Sequence, residues 1–307
     1  MKPIIGVTMG DPAGIGPEVI IKSLKEISFS GDIRIIGSKR VFDFYSDKLD
    51  LPYLSDSIFY EIPFKENFTP ADPNVKTAEL SLKSLDKAIE LVEQEEINAL
   101  VTAPLSKIYI KHLIPEFTGH TEYLREKLNA VYSVMLGYSE IFKVALLTTH
   151  VPITSVPKYI TEDRIYFTVN LLYRFLKEFE KIKEPRLCMF SFNPHGLEFT
   201  DGTEDTIKRA LSLLRIEVEG PLPADSLYNL LDEFHAFIAV YHDQGMIPVK
   251  LLSKRKGVNI TLGLPIIRTS PLHGTAFQIA GKGIAYPWSM MEAMKKAKEL
   301  WKIKNTQ

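Results

Sequence analysis

The sequence predicts an α/β protein built on mainly parallel, doubly wound sheets, and three observations predict it. Short apolar runs alternate with stretches of helical spacing along the whole chain, several of these runs stop abruptly in glycine or histidine loops, and there is no internal repeat or long flexible linker. Alternation of this kind covers both faces of a buried sheet with helices. The 307 residues fit two domains of ordinary size. Without a linker these must be interleaved, and we place a first α/β/α domain at 1–125 plus 265–307 and a second at 126–264.

Taken in order, Ile4 to Thr8 reads as a first buried strand, followed by a glycine loop and a helix opening at Pro17-Glu18. Proline at the first helical position and an acid beside it are helix-start chemistry. Ile33 to Ile36 is a second strand, with a helix over about 39–49. Apolar residues at helical spacing from Val75 to Gln94 lead into a strand at Ala99 to Thr102. Strands are then expected at 131–136, 144–149, 187–192 and 237–241, with helices near 162–180 and 204–214 and a final one over about 289–303.

A formal net charge of −1 with interspersed signs gives no basic patch for nucleic acid or a membrane surface. The single cysteine, Cys188, lies in an apolar run and is expected to pack as a small hydrophobe. That suits a reducing cytoplasm, and no run approaches the ~20 apolar residues of a membrane span or forms a signal peptide.

The stretch from Phe237 to Lys250 organises the functional reading. Its apolar run ends in His242-Asp243-Gln244-Gly245, and two others end similarly, in His150-Val151-Pro152 and Asn193-Pro194-His195-Gly196. Ligands of open α/β sheets bind beyond the carboxyl ends of strands. Three histidines there are either separate turn residues or a shared set of neutral imidazole ligands for a divalent metal, assembled by the fold rather than by a compact spacing.

The first loop, Gly10 to Pro17, matches neither a Walker A nor a Gly-x-Gly-x-x-Gly fingerprint. Its glycines permit a tight strand-to-helix turn or bring backbone close to an anion. Lys107, after the Ala99 to Thr102 strand, is either a surface lysine or a cleft residue. In Gly119-His120-Thr121-Glu122, Thr121 is expected to cap a helix, and His120 is placed to donate to a phosphate or carboxylate. Lys250, Asn259 and Arg268 follow, with Arg268 suited to a planar anion. With the carboxylates Asp225 and Asp243, these groups suit an anionic small molecule held on a metal.

Six blocks, at 6–18, 102–107, 119–122, 220–225, 241–245 and 258–265, together resemble the 4-hydroxythreonine-4-phosphate dehydrogenases of pyridoxine biosynthesis. The segment His273 to Pro287 is similar to the adenine-side loop of isopropylmalate dehydrogenases. The resemblance implies an isopropylmalate dehydrogenase-like fold with its active site in the interdomain cleft, and a homodimer with the site at the subunit interface. It implies His150, His195 and His242 as metal ligands with Asp225 nearby, and His120, Thr121, Lys250, Asn259 and Arg268 as contacts to a small phosphorylated substrate. It also implies Asp243 or Lys250 as the base, and His273, Gly274, Thr275 and Ala276 as contacts to NAD or NADP. Zinc, cobalt and magnesium remain open as the metal. The alternatives are a related dehydrogenase of threonate or erythronate phosphate and, from another class, a phosphate acyltransferase of similar layout.

Overall fold

The computed structural model describes residues 2–27 and 32–306. The chain divides into two compact units, 1–130 with 264–307 and 131–263. The first segment of unit one runs β1 (Ile4–Thr8), α1 (Gly16–Glu26), β2 (Asp32–Gly37), α2 (Lys39–Leu49), β3 (Phe59–Glu61), α3 (Val75–Glu93), β4 (Ala99–Thr102), the short α4 (Lys107–Ile110) and α5 (His120–Lys127). Both faces of β1 and β4 are buried, which explains why their sequences are continuous apolar runs rather than alternating ones. The side chain of Asn74 caps α3 through the Lys76 and Thr77 amides, and Thr77 returns a bond to the Asn74 amide, so the helix start is set by local chemistry.

Unit two contains β5 (Val134–Tyr138), β6 (Lys143–Leu146), α6 (Glu162–Glu178), β7 (Leu187–Phe190), α7 (Thr203–Ser212), β8 (Val218–Leu222), the short α8 (Leu227–Leu230), β9 (Ala236–Ala239), α9 (His242–Leu252) and β10 (Val258–Leu262). Strand order is β10-β5-β6-β9-β7-β8. The β6-β9, β9-β7 and β7-β8 pairs are parallel, whereas β5 is antiparallel to both β10 and β6. This sheet is therefore mixed. Four expected strands shift: β5 begins at Val134 rather than Val131, β7 stops at Phe190 rather than 192, β6 stops at Leu146 rather than 149, and β9 spans 236–239 rather than 237–241. In the latter two cases the apolar run continues past the ladder into the loop that carries a histidine. His242 is accordingly the first residue of α9, a helix the sequence reading passed over because Gly245 and Pro248 interrupt it. Gly245 is needed there, since a Cβ would come within 2.7 Å of Leu146 and 3.0 Å of Ala239.

The chain then returns to unit one through β11 (Ile267–Pro271) and α10 (Trp288–Asn305). The unit one sheet has the order β3-β2-β1-β4-β11, with every pair parallel. The carboxyl ends of β1, β4 and β11 lie side by side, and each opens into a loop singled out by sequence. Among the described residues no helix is long and apolar enough to cross a membrane.

Candidate functional site

In unit one the three loops are knitted together by backbone. The Asp11 amide donates to the Pro104 carbonyl at 2.9 Å, and the Ile15 amide to the Thr275 carbonyl at 3.0 Å. Gly10 sits at φ 72°, and a Cβ on it would lie 2.3 Å from the Pro104 oxygen, so the glycine loop is a tight turn dictated by close approach to the neighbouring loop. Asp11 is fully buried beneath it. Its Oδ1 accepts the Ala13 amide, and burial pushes the carboxyl up to about 6 against the lowering by that bond and by Thr77.

Beside this turn, basic side chains gather on three elements. Arg268 of β11 is buried, and its Nε and Nη2 donate to Thr102 Oγ1 at the end of β4. Burial pushes its guanidinium down to about 10, opposed by the Glu122 carboxylate, so it stays charged at neutral pH. His120 is held well below the ordinary imidazole range, first by burial and then by the Arg268 and Lys107 cations, and is therefore neutral. Burial also lowers Lys107, against the pull of Glu122. Counting Arg268 and Lys107 against Glu122, this group carries excess positive charge, which suits an anion. Thr121 does not cap: α5 starts two residues early, at His120, with Gly119 as its N-cap and no side-chain cap bond. Thr121 instead lies in the first turn beside His120. The charge partner Glu122 and the anchor Thr102 fall in the blocks 119–122 and 102–107 that carry the family resemblance, but neither was expected as a site residue.

In unit two, the histidine loops leave neighbouring strands. His150 follows β6, His242 opens α9 directly after β9, and His195 follows β7, with β9 central to the three. Thr148 Oγ1 donates to the Val240 carbonyl at 2.7 Å, joining the first two loops. Gln244 joins the second and third, accepting the Val240 amide at 2.7 Å and donating to the Ser191 carbonyl at 2.8 Å. The His150 and His242 rings lie 6.3 Å apart. His242 Nδ1 is 2.7 Å from Asp243 Oδ1, which fixes that ring and leaves Nε2 as the nitrogen it presents. His195 has left-handed backbone, φ 57° and ψ 13°, and its ring lies 5.6 Å from that of Phe199.

Among the described residues, no three His, Cys, Asp or Glu side chains of the single chain form a metal-binding group. Of the expected three-histidine set, His150 and His242 approach each other, and His195 faces Phe199. Asp225 is exposed on a single helical turn. The His195 loop is held by a residue that sequence reasoning missed. Buried Glu204 of α7 accepts the Asn193 amide at 2.7 Å and its side-chain amide at 2.9 Å.

Asp243 and Lys250 lie seven residues apart on α9, two turns along one exposed stripe that also carries Ile247 and Leu251, 57% and 72% exposed. Asn259 is buried on β10. In unit one, His273 Nδ1 lies 3.1 Å from the Gly274 carbonyl, and Ala276 is left-handed at φ 44°.

The chain is 36% identical over 313 residues to a 4-hydroxythreonine-4-phosphate dehydrogenase of Sulfurihydrogenibium sp. (strain YO3AOP1), with 95% of this chain and 97% of that protein covered. It is 38% identical to an Oceanobacillus iheyensis protein provisionally named D-threonate 4-phosphate dehydrogenase, covering 97% of this chain and 98% of the other. The crystal structure of a 4-hydroxythreonine-4-phosphate dehydrogenase from Klebsiella pneumoniae superposes with a TM-score of 0.84 at 32% identity, covering 98% of this chain and all of that one. The family model for the pyridoxal phosphate biosynthetic protein PdxA matches residues 24–297, and the chain belongs to that family.

Proposed function

We propose that the protein oxidises 4-phosphooxy-L-threonine with NAD or NADP to 2-amino-3-oxo-4-phosphooxybutyrate, which loses carbon dioxide to give 3-amino-2-oxopropyl phosphate. The observation that carries this reading is near full-length similarity to dehydrogenases of that name, joined to a partly buried, net-positive group in unit one that suits a phosphorylated substrate. In this reading Arg268 provides the planar donor fork and neutral His120 donates a hydrogen bond. Thr121 lies beside them, and the family resemblance supports Lys250 and Asn259 as further substrate contacts. His273, Gly274, Thr275 and Ala276 line the cofactor, whose nicotinamide accepts the hydride.

The donor set fits a divalent cation. His242 is oriented by a carboxylate, as metal-ligating histidines generally are, and its ring lies near that of His150. His150, His195 and His242 would hold zinc, cobalt or magnesium, with Asp225 close by, and nitrogen ligation favours the first two. Such a cation supplies a Lewis acid that favours loss of the substrate hydroxyl proton and steadies charge during decarboxylation. Asp243 or Lys250 takes the proton. Asp243 already engages His242, so the geometry leans toward Lys250 as base and Asp243 as the ring's orienter.

The metal set and the α9 stripe together support a homodimer. Two large apolar side chains, Ile247 and Leu251, exposed on the stripe that carries Asp243 and Lys250 suit a second copy, which would allow ligands from two chains to meet. Ile247→Asp should yield a monomer by sedimentation and sharply reduced turnover. A wild-type chain already monomeric would remove this part of the reading.

The 38% identity to the Oceanobacillus iheyensis protein favours a second reading, oxidation of D-threonate 4-phosphate. Nicotinamide reduction should be followed with each substrate, before and after chelation. Chelator-sensitive reduction with the amino acid alone supports the first assignment, and reduction with the sugar acid alone selects the second. Inactivity with both returns the acyltransferase alternative.

A further inference from the structure

The segment that begins at His273 runs on to Pro287 with little regular structure of its own beyond the turn at Phe277–Ile279, and it is left-handed at Ala276, Gly281 and Gly283. It is held by α1. At its near end the Ile15 amide, just before α1, donates to the Thr275 carbonyl. At its far end three side chains of α1 grip backbone: Glu18 Oε1 accepts the Ala285 amide at 3.0 Å, and Lys22 Nζ donates to the Gly283 and Ala285 carbonyls at 2.8 and 3.0 Å. Ser23 Oγ is 3.3 Å from the Pro287 carbonyl. Glu18 and Lys22 also pair with each other at 2.6 Å, the carboxylate side chain wholly buried and that of the lysine 18% exposed.

A buried ion pair is a poor source of net stability, because desolvation consumes most of the attraction. Glu18 leaves Oε2 buried with no hydrogen-bond partner among the described residues, so the pair is not optimised for stability even locally. What it does supply is direction, since every further bond it makes goes to the backbone of 283–285.

We infer that Glu18 and Lys22 are positioning residues for the nicotinamide cofactor. They fix the 275–287 segment in its binding conformation before the cofactor arrives, so that the ordering cost is not met at binding. Neither touches the reacting atoms. The inference rests on the reading of His273 to Ala276 as cofactor contacts.

The test is calorimetric titration of NAD and NADP into the full-length chain and its Glu18→Gln, Lys22→Met, Lys22→Arg and His273→Ala variants, with melting temperatures, kcat and both KM values measured in parallel. Glu18→Gln and Lys22→Met should weaken cofactor binding about tenfold, while kcat at saturation and the KM of the phosphorylated substrate stay within about twofold and Lys22→Arg recovers most of the affinity. Should Glu18→Gln fail to fold, Lys22→Met carries the test. Unchanged cofactor affinity in Lys22→Met, with His273→Ala weakened, overturns the positioning role alone. Unchanged affinity in His273→Ala overturns the cofactor-loop reading, and the positioning role falls with it.

Discussion

Asp11 shows how one buried carboxyl couples the glycine loop to pH. Its folded pKa of about 6 lies above the ordinary 3.8, so the folded chain binds a proton the unfolded chain releases, and stability falls as pH rises from about 4 to about 6. The pKa difference corresponds to roughly 2–3 kcal/mol, present below that window and lost above it. Subtracting the stability of Asp11→Asn from that of the wild type should give a difference that declines through this interval; a flat difference would show that Asp11 does not titrate there. His195 invites a different substitution. Its left-handed backbone is strained for most residues but tolerated by asparagine. His195→Asn should therefore melt within a few degrees of wild type while binding less metal by atomic emission, whereas His195→Val should lose about 1–2 kcal/mol as well.

Elements decide which of these residues could be foreseen. The strands β1 and β4 and the helices α2, α3 and α6 were legible because apolar spacing and flanking glycine or cap residues agreed. The loop histidines stood out because they follow apolar runs in the sequence, even where the ladder itself stops two or three residues sooner. The helix α9 was not legible: its first turn reads as a loop and Pro248 as a breaker, and only packing against β6 and β9 makes it helical. Buried Glu204 was equally hidden, since its partner Asn193 lies in the loop after β7 and no local pattern distinguishes it from exposed Asp205 beside it. Glu204→Ala leaves the Asn193 backbone amide without its acceptor and its side-chain amide with Asp201 alone, and we expect a loss of about 1–3 kcal/mol on denaturant unfolding together with weaker metal uptake. Glu204→Gln, which keeps an acceptor, should cost less. Equal losses would mean that volume rather than hydrogen bonding matters at this position.

At the scale of the molecule, the sequence reading recovered an α/β architecture of mainly parallel strands but not the antiparallel placement of β5, because strand direction depends on which neighbours a strand finds, not on its composition. The family follows from the whole chain, with similarity spanning 95% of it for the Sulfurihydrogenibium relative. The choice between two phosphorylated substrates does not, since a cationic group suits the phosphate that both share. If that group binds the phosphate, Arg268→Lys should raise KM for either substrate at least tenfold, because a point charge cannot replace a guanidinium fork bonded to Thr102. An unchanged KM would remove Arg268 from the site.

The interruption of unit one by unit two bears on how the chain is made. Residues 131–263 are contiguous and can collapse as soon as they clear the ribosome, but the first sheet must wait with β4 exposed until β11 is translated after all of them. β11 brings Arg268, and the His273 loop comes directly behind it. A chain truncated after residue 263 and released from the ribosome should therefore hold a folded second unit beside an open strand edge, and be a better chaperone client than the finished enzyme.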